Sequence, residues 1–102
     1  MNGKYTPPPA YPVIRDYVQI VTQTDESLSV SNSNIVRDFD VPKVSGYDLI
    51  GVMGYDCDNS NVRFYKMTYS IGESNDQVNY CVRATSSGTA TTTFYLMYFK
   101  TT

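Results

Sequence analysis

The feature that most limits this chain is the period of its side chains. Apolar and polar residues alternate one for one, and nowhere do they recur at helical spacing. Successive side chains of an extended strand point to opposite faces, so this pattern writes one buried and one wet surface on a ribbon. Seven runs carry it: 13–22, 27–31, 35–41, 47–55, 62–71, 77–84 and 91–100. Run 13–22 is apolar on both faces (Ile14, Val18 and Ile20 against Val13, Tyr17 and Val21), which predicts a strand covered on two sides. Leu28 and Val30 share a face between serines, and Ile35, Phe39 and Val41 lie opposite Asp38 and Asp40. In run 47–55, Leu49, Met53 and Tyr55 oppose Ile50 and Val52, and the interspersed Gly51 and Gly54 predict a bulge or a close backbone approach. In run 62–71, Arg63, Tyr65, Met67, Tyr69 and Ile71 oppose Val62, Phe64 and Thr68. Val78, Tyr80 and Val82 are expected inward, with Asn79, Cys81 and Arg83 on the reverse.

Composition agrees with the period. Val and Tyr dominate the larger side chains, while the good helix formers Leu and Ala occur three times each. At 102 residues the chain supports one core. Short strands at regular spacing, broken by polar turns, predict an all-β fold: an antiparallel β-sandwich of about seven strands spanning 13–102. The run 94–99, almost wholly apolar or aromatic, belongs in a central strand, and a short barrel is the second choice. Residues 1–12 read differently. Pro7, Pro8, Pro9 and Pro12, flanked by Tyr5 and Tyr11, fix φ and remove donors, which predicts an extended proline-rich arm suited to docking on a partner.

Several functions are disfavoured on chemistry alone. Histidine is absent, which removes Ser-His-Asp and Cys-His catalysis and histidine-based zinc sites. A net charge of −2 offers no basic face for a phosphate-driven nucleic-acid binder. No segment approaches the about 18 to 20 apolar residues of a membrane span, and the N-terminal stretch has no apolar leader core. Cys57 and Cys81 lack CxxC spacing; a bridge between them is open on loop length, and inert thiols are the simpler expectation. The loop 56–61 alternates oxygen-bearing side chains as calcium loops do, yet it lacks the Gly at the sixth position, and Met67 stands where a bidentate Glu is required. Asp38 and Asp40 point the same way, roughly 6 to 7 Å apart on a strand, as solvent-facing carboxylates commonly do. These readings predict a protein that is not an enzyme and carries no cofactor or metal.

The tyrosines are the most informative polar-tipped set: ten of them, and no Trp. A flat apolar body with a hydroxyl tip serves cores, subunit contacts and sugar stacking alike. Tyr47, Tyr55, Tyr65 and Tyr69 are the candidate recognition surface. Two classes of function follow, a structural assembly domain and a monomeric carbohydrate-binding module.

The stretch Gly46-Tyr47-Asp48-Leu49-Ile50-Gly51-Val52-Met53-Gly54 resembles the G-Y-x-x-I-x-V-x-G opening of small β-sandwich domains in bacteriophage and prophage tail proteins. The ending is also similar: Val82-Arg83-Ala84-Thr85-Ser86-Ser87, a polar turn, then Phe94-Tyr95-Leu96-Met97-Tyr98-Phe99-Lys100. The resemblance implies a virion structural protein of tail-fibre or decoration type, homo-oligomeric with a trimer favoured, made in the bacterial cytoplasm and carried in the virion. It implies assembly with other virion proteins, here through the arm Tyr5, Pro7, Pro8, Pro9, Tyr11 and Pro12, and attachment to a host-surface glycan. It implies no enzymatic activity.

Overall fold

The computed structural model describes residues 16–101, so the arm lies outside the described residues. Six strands follow one another: β1 (Val18–Val30), β2 (Asn34–Pro42), β3 (Tyr47–Cys57), β4 (Val62–Ser70), β5 (Asn75–Ala84) and β6 (Gly88–Lys100). They form two three-stranded antiparallel sheets, ordered β1-β6-β3 and β2-β5-β4. The all-β, two-sheet expectation therefore holds, and the run 94–99 does occupy a central strand. The barrel does not form, because β1 is not hydrogen-bonded to β2, nor β3 to β4.

There are six strands rather than seven because residues 18–22 of the first run and 27–30 of the second belong to one strand, β1. The polar stretch between them keeps pairing with β6, Thr22 opposite Tyr95 and Asp25 opposite Thr92. A single extra residue then shifts the register between Asp25 and Leu28. That bulge has a local cause. The Asp25 carboxylate accepts the Ser27 N–H at 3.2 Å, an Asx-type bond that offers the backbone an alternative to the ladder. Its consequence is parity: Asp25 and Leu28, three apart, both face the interior. The two-sided cover expected for run 13–22 also fails, since Ile20 is exposed while Val21 packs on the core.

The core is the space between the sheets. Leu28, Leu49, Phe94, Leu96 and Tyr98 meet Val41, Val78, Tyr80, Val82 and Ala84 there, all essentially without solvent contact. Each fully buried large apolar side chain contributes about 2 kcal/mol. A row of rings crosses this interior: Phe39 to Phe94 at 5.7 Å, Phe94 to Tyr80 at 5.1 Å, Tyr80 to Phe64 at 5.5 Å and Phe64 to Tyr55 at 4.3 Å.

The loops 31–33, 58–61 and 85–87 each pass from one sheet to the other, and strand pairing gathers them at one end of the sandwich. Backbone bonds tie them together, with Ala84 N–H donating to Ser33 O at 3.1 Å and Thr85 N–H donating to Asn61 O at 3.1 Å. At the other end Gly46 takes φ +80°, a left-handed turn that glycine adopts without strain, and its carbonyl accepts the Thr101 N–H.

Candidate functional site

The two edges on which unpaired strands face each other are built from different chemistry. On the β3/β4 flank the edge strands are interrupted three times. Register shifts set Ile50 and Met53 as extra residues in β3, and Tyr65 as the extra residue in β4. All three are exposed, Met53 by 58% and Tyr65 by 59%. An extra residue reverses the parity of everything after it. The inward positions of β3 therefore become Leu49, Val52, Tyr55 and Cys57, opposite Tyr98, Leu96, Phe94 and Thr92, and those of β4 become Val62, Phe64, Met67 and Tyr69.

This corrects the sequence reading of both strands. Met53 does not share a face with Leu49, and Val52 packs inward. Met67 joins the core side, while Tyr65 and Tyr69 do not lie on one face. The bulges that Gly51 and Gly54 suggested are present, and each glycine directly follows the extra residue.

Of the candidate tyrosines, Tyr55, Tyr65 and Tyr69 come to this flank, all partly exposed. Tyr55 and Tyr65 line one open groove of about 620 Å³, with Asp56, Asn59, Ser60, Arg63 and Phe64. Tyr69 lines a second, of about 420 Å³, with Gly51, Val52 and Met67. Tyr47 is not part of either: it packs against the core at the start of β3. The arm residues Tyr5, Pro7, Pro8, Pro9, Tyr11 and Pro12 lie outside the described residues. Ile50, Met53 and Arg63 escaped the sequence reading as surface partners. For Ile50 and Met53 the signal is a glycine following an apolar residue inside an alternating run; Arg63 carries no such mark.

Of the groove's polar side chains, Asp56 and Asn59 are already engaged, as is Asp58 beside them. Asp56 accepts the Tyr95 hydroxyl at 2.6 Å, and this bond pushes the Tyr95 hydroxyl pKa up. Asp58 accepts the Thr91 N–H at 2.8 Å, and Asn59 both accepts the Asn61 N–H and donates to Thr89 O. The carboxylates of loop 56–61 thus reach back to β6 instead of converging, and no cluster of three metal-ligating side chains occurs among the described residues. Asp38 and Asp40 face outward on β2 and accept the side-chain amides of Asn79 and Gln77, at 2.8 and 2.7 Å. Cys57 and Cys81 are both free thiols on different sheets, Cys57 beside the core and Cys81 on the outer side of β5.

On the β1/β2 flank a polar network closes the interior. Asp25 is 1% exposed and takes both Arg37 Nε, at 2.5 Å, and Nη2, at 2.8 Å. Tyr80 donates its hydroxyl to the same carboxylate at 2.7 Å. Burial alone pushes the Asp25 carboxyl up; the bonds from Arg37, Tyr80 and Ser27 and the guanidinium charge outweigh it, bringing the pKa down to about 2. Burial, and then Asp25 as acceptor, push the Tyr80 hydroxyl up. Every member of this network is satisfied, with strands from both sheets contributing.

No family model, curated protein or solved structure matches this chain.

Proposed function

We propose that the chain is a non-catalytic structural domain of a bacteriophage virion, of tail-fibre or decoration type, that assembles through its β3/β4 flank. The observation that carries this reading is the direction of the three bulges. Each one places an apolar or aromatic side chain (Ile50, Met53, Tyr65) outward, where the fold itself has no use for it. With Tyr55 and Tyr69 they make an exposed apolar strip of the kind that marks an interaction surface. Bulges also interrupt the row of edge N–H and C=O groups, so side chains rather than an added strand would make the contact. The tail-protein resemblance of residues 46–102 supplies the setting, and the proline-rich arm supplies a second attachment point to other virion proteins. A homotrimer buries the strip between copies.

Sedimentation of the full chain across micromolar to millimolar concentration tests this. Self-association is expected, and changing Met53 and Tyr65 together to Glu abolishes it while the circular-dichroism spectrum stays that of the parent. A strict monomer that captures neither phage proteins nor host cells sinks the reading.

A second reading, a monomeric carbohydrate-binding module, is favoured by the groove in which Tyr55 and Tyr65 expose their rings beside Ser60 and Arg63. Glycan binding by a monomer, lost on Tyr65→Ala, decides for it.

A further inference from the structure

The outer side of sheet β2-β5-β4 holds a cross-strand pair that works against the fold. Arg63 of β4 stands directly opposite Arg83 of β5. Their neighbours in the ladder, Val62 with Ala84 and Phe64 with Val82, point inward, so both guanidinium groups project from the same outer face, and both are exposed. The next outward rung carries Lys66, opposite Cys81. Like charges directly opposed on antiparallel strands are destabilising. The chain has the means to neutralise them and does not. Of the six cations among the described residues, Arg37 and Lys43 are bridged to Asp25 and Asp76, whereas Arg63, Lys66, Arg83 and Lys100 have no carboxylate within bridging distance among those residues. Arg83 reaches only the Asn34 side-chain amide, at 3.4 Å. The nearest rows of acid are spent elsewhere, Asp38 and Asp40 on Asn79 and Gln77, and Asp56 on Tyr95.

Three of these four cations share one sheet face of an acidic protein, and the row reaches recognition chemistry at Arg63. Arg63 lines the 620 Å³ groove together with the exposed rings of Tyr55 and Tyr65. A sugar ring laid on a tyrosine face there shares the groove with Arg63, and Arg83 stands opposite Arg63 in the ladder. We propose that this corner is an anion site for an acidic saccharide, its carboxylate or phosphate held between Arg63 and Arg83 and its ring on Tyr65. Paired guanidinium groups suit either anion, because their forked donors match two oxygens at once. The inference rests on the second, carbohydrate-binding reading, in which Tyr65 is open to a ligand; Arg83 lies off the β3/β4 flank, so the two can fail separately.

Titration calorimetry of the full chain tests it with three charged probes: tetragalacturonate, sialyllactose and glucose 6-phosphate. The methyl ester of tetragalacturonate, lactose and glucose serve as their neutral counterparts. Charged probes are expected to bind at low salt and to weaken as salt rises, with the neutral forms weaker by about tenfold or more. Binding of the sugar acids alone identifies a carboxylate site, and binding of glucose 6-phosphate alone a phosphate site. Arg63→Gln and Arg83→Gln each lower affinity by about tenfold, as loss of a charge-assisted bond implies. Arg83→Glu removes binding and at the same time raises the melting temperature, because it turns the opposed pair into an attractive one. Equal binding of charged and neutral probes, no binding of any charged probe, or indifference to the Arg83 changes overturns the anion site. The titrations are run at a concentration where sedimentation shows a monomer, so that burial of Tyr65 between copies does not mask the site.

Discussion

The β1/β2 and β3/β4 flanks face the same geometric problem and meet it in opposite ways. Each is the margin of two packed sheets, where edge strands are not hydrogen-bonded to each other and water approaches the core from the side. At β1/β2 the margin is closed by a satisfied polar network, Asp25 with Arg37, Tyr80 and Ser27. At β3/β4 the inner residues Tyr55 and Tyr69 cover the margin incompletely, and three bulges turn further apolar groups outward. A buried charge pair is specific to one register and repels apolar partners, so the first flank suits a closed wall. An apolar, irregular rim has surface left to bury, so the second suits a contact. The contrast between a wall and a contact is the physical content of the functional reading.

The largest expected effect lies on the wall. Asp25→Ala leaves Arg37 without its carboxylate and the Tyr80 hydroxyl buried without an acceptor. Removing one partner of such a pair costs about 3 kcal/mol, since Arg37 retains some access to water. That is a melting temperature lower by roughly 15 °C for a domain of this size. Urea unfolding measures the loss, and sedimentation of the same variant at low temperature should show association unchanged. Loss of association together with stability would erase the distinction between the flanks.

Acid is a gentler probe of the same network. The Asp25 pKa is depressed from its ordinary 3.8 to about 2, so the folded state holds its proton less readily than the unfolded chain does. The network's contribution is therefore complete above about pH 4 and is lost as pH falls toward about 2, a change of about 2 kcal/mol. In Asp25→Asn this share of the acid sensitivity disappears, and the gap between the two proteins' stability curves narrows across that window. Parallel curves would show that Asp25 is not held ionised by its partners.

The fold was legible where pairing is regular. On β2 and β5, which pair without a bulge, simple alternation placed Ile35, Phe39, Val78, Tyr80 and Val82 inward and Asp38 and Asp40 outward, as observed. It failed wherever one extra residue entered. A bulge keeps the strand but reverses its faces, and nothing in local hydrophobicity announces which residue is the extra one. In β1 the polar stretch 23–26 reads as a break between two strands, because a buried aspartate is rare and the partners of Asp25, Arg37 and Tyr80, lie 12 and 55 residues away. The candidate site was half legible: Tyr55, Tyr65 and Tyr69 were named for their chemistry, but Met53, Ile50 and the Arg63–Arg83 pair depend on register, which only the assembled sheets fix.

The smallest expected effect separates period from bulge on one strand. By alternation Tyr65 and Tyr69 of β4 are equivalent, four residues apart on one face. By the observed register they are not. Tyr65 is the unpaired extra residue, whereas Tyr69 stands opposite fully buried Val78 and faces the inner side. Tyr65→Ser should then leave folding stability within about 0.5 kcal/mol of the parent, as surface changes do. Tyr69→Ser removes part-buried ring surface over Val52 and Met67 and costs about 1 kcal/mol more. The association readout runs the other way, with Tyr65→Ser the more damaging, because a side chain that the fold leaves unused is the one available to a partner. Equal stability losses at the two positions would mean that β4 keeps strict alternation, and the outward placement of Tyr65 would go with it.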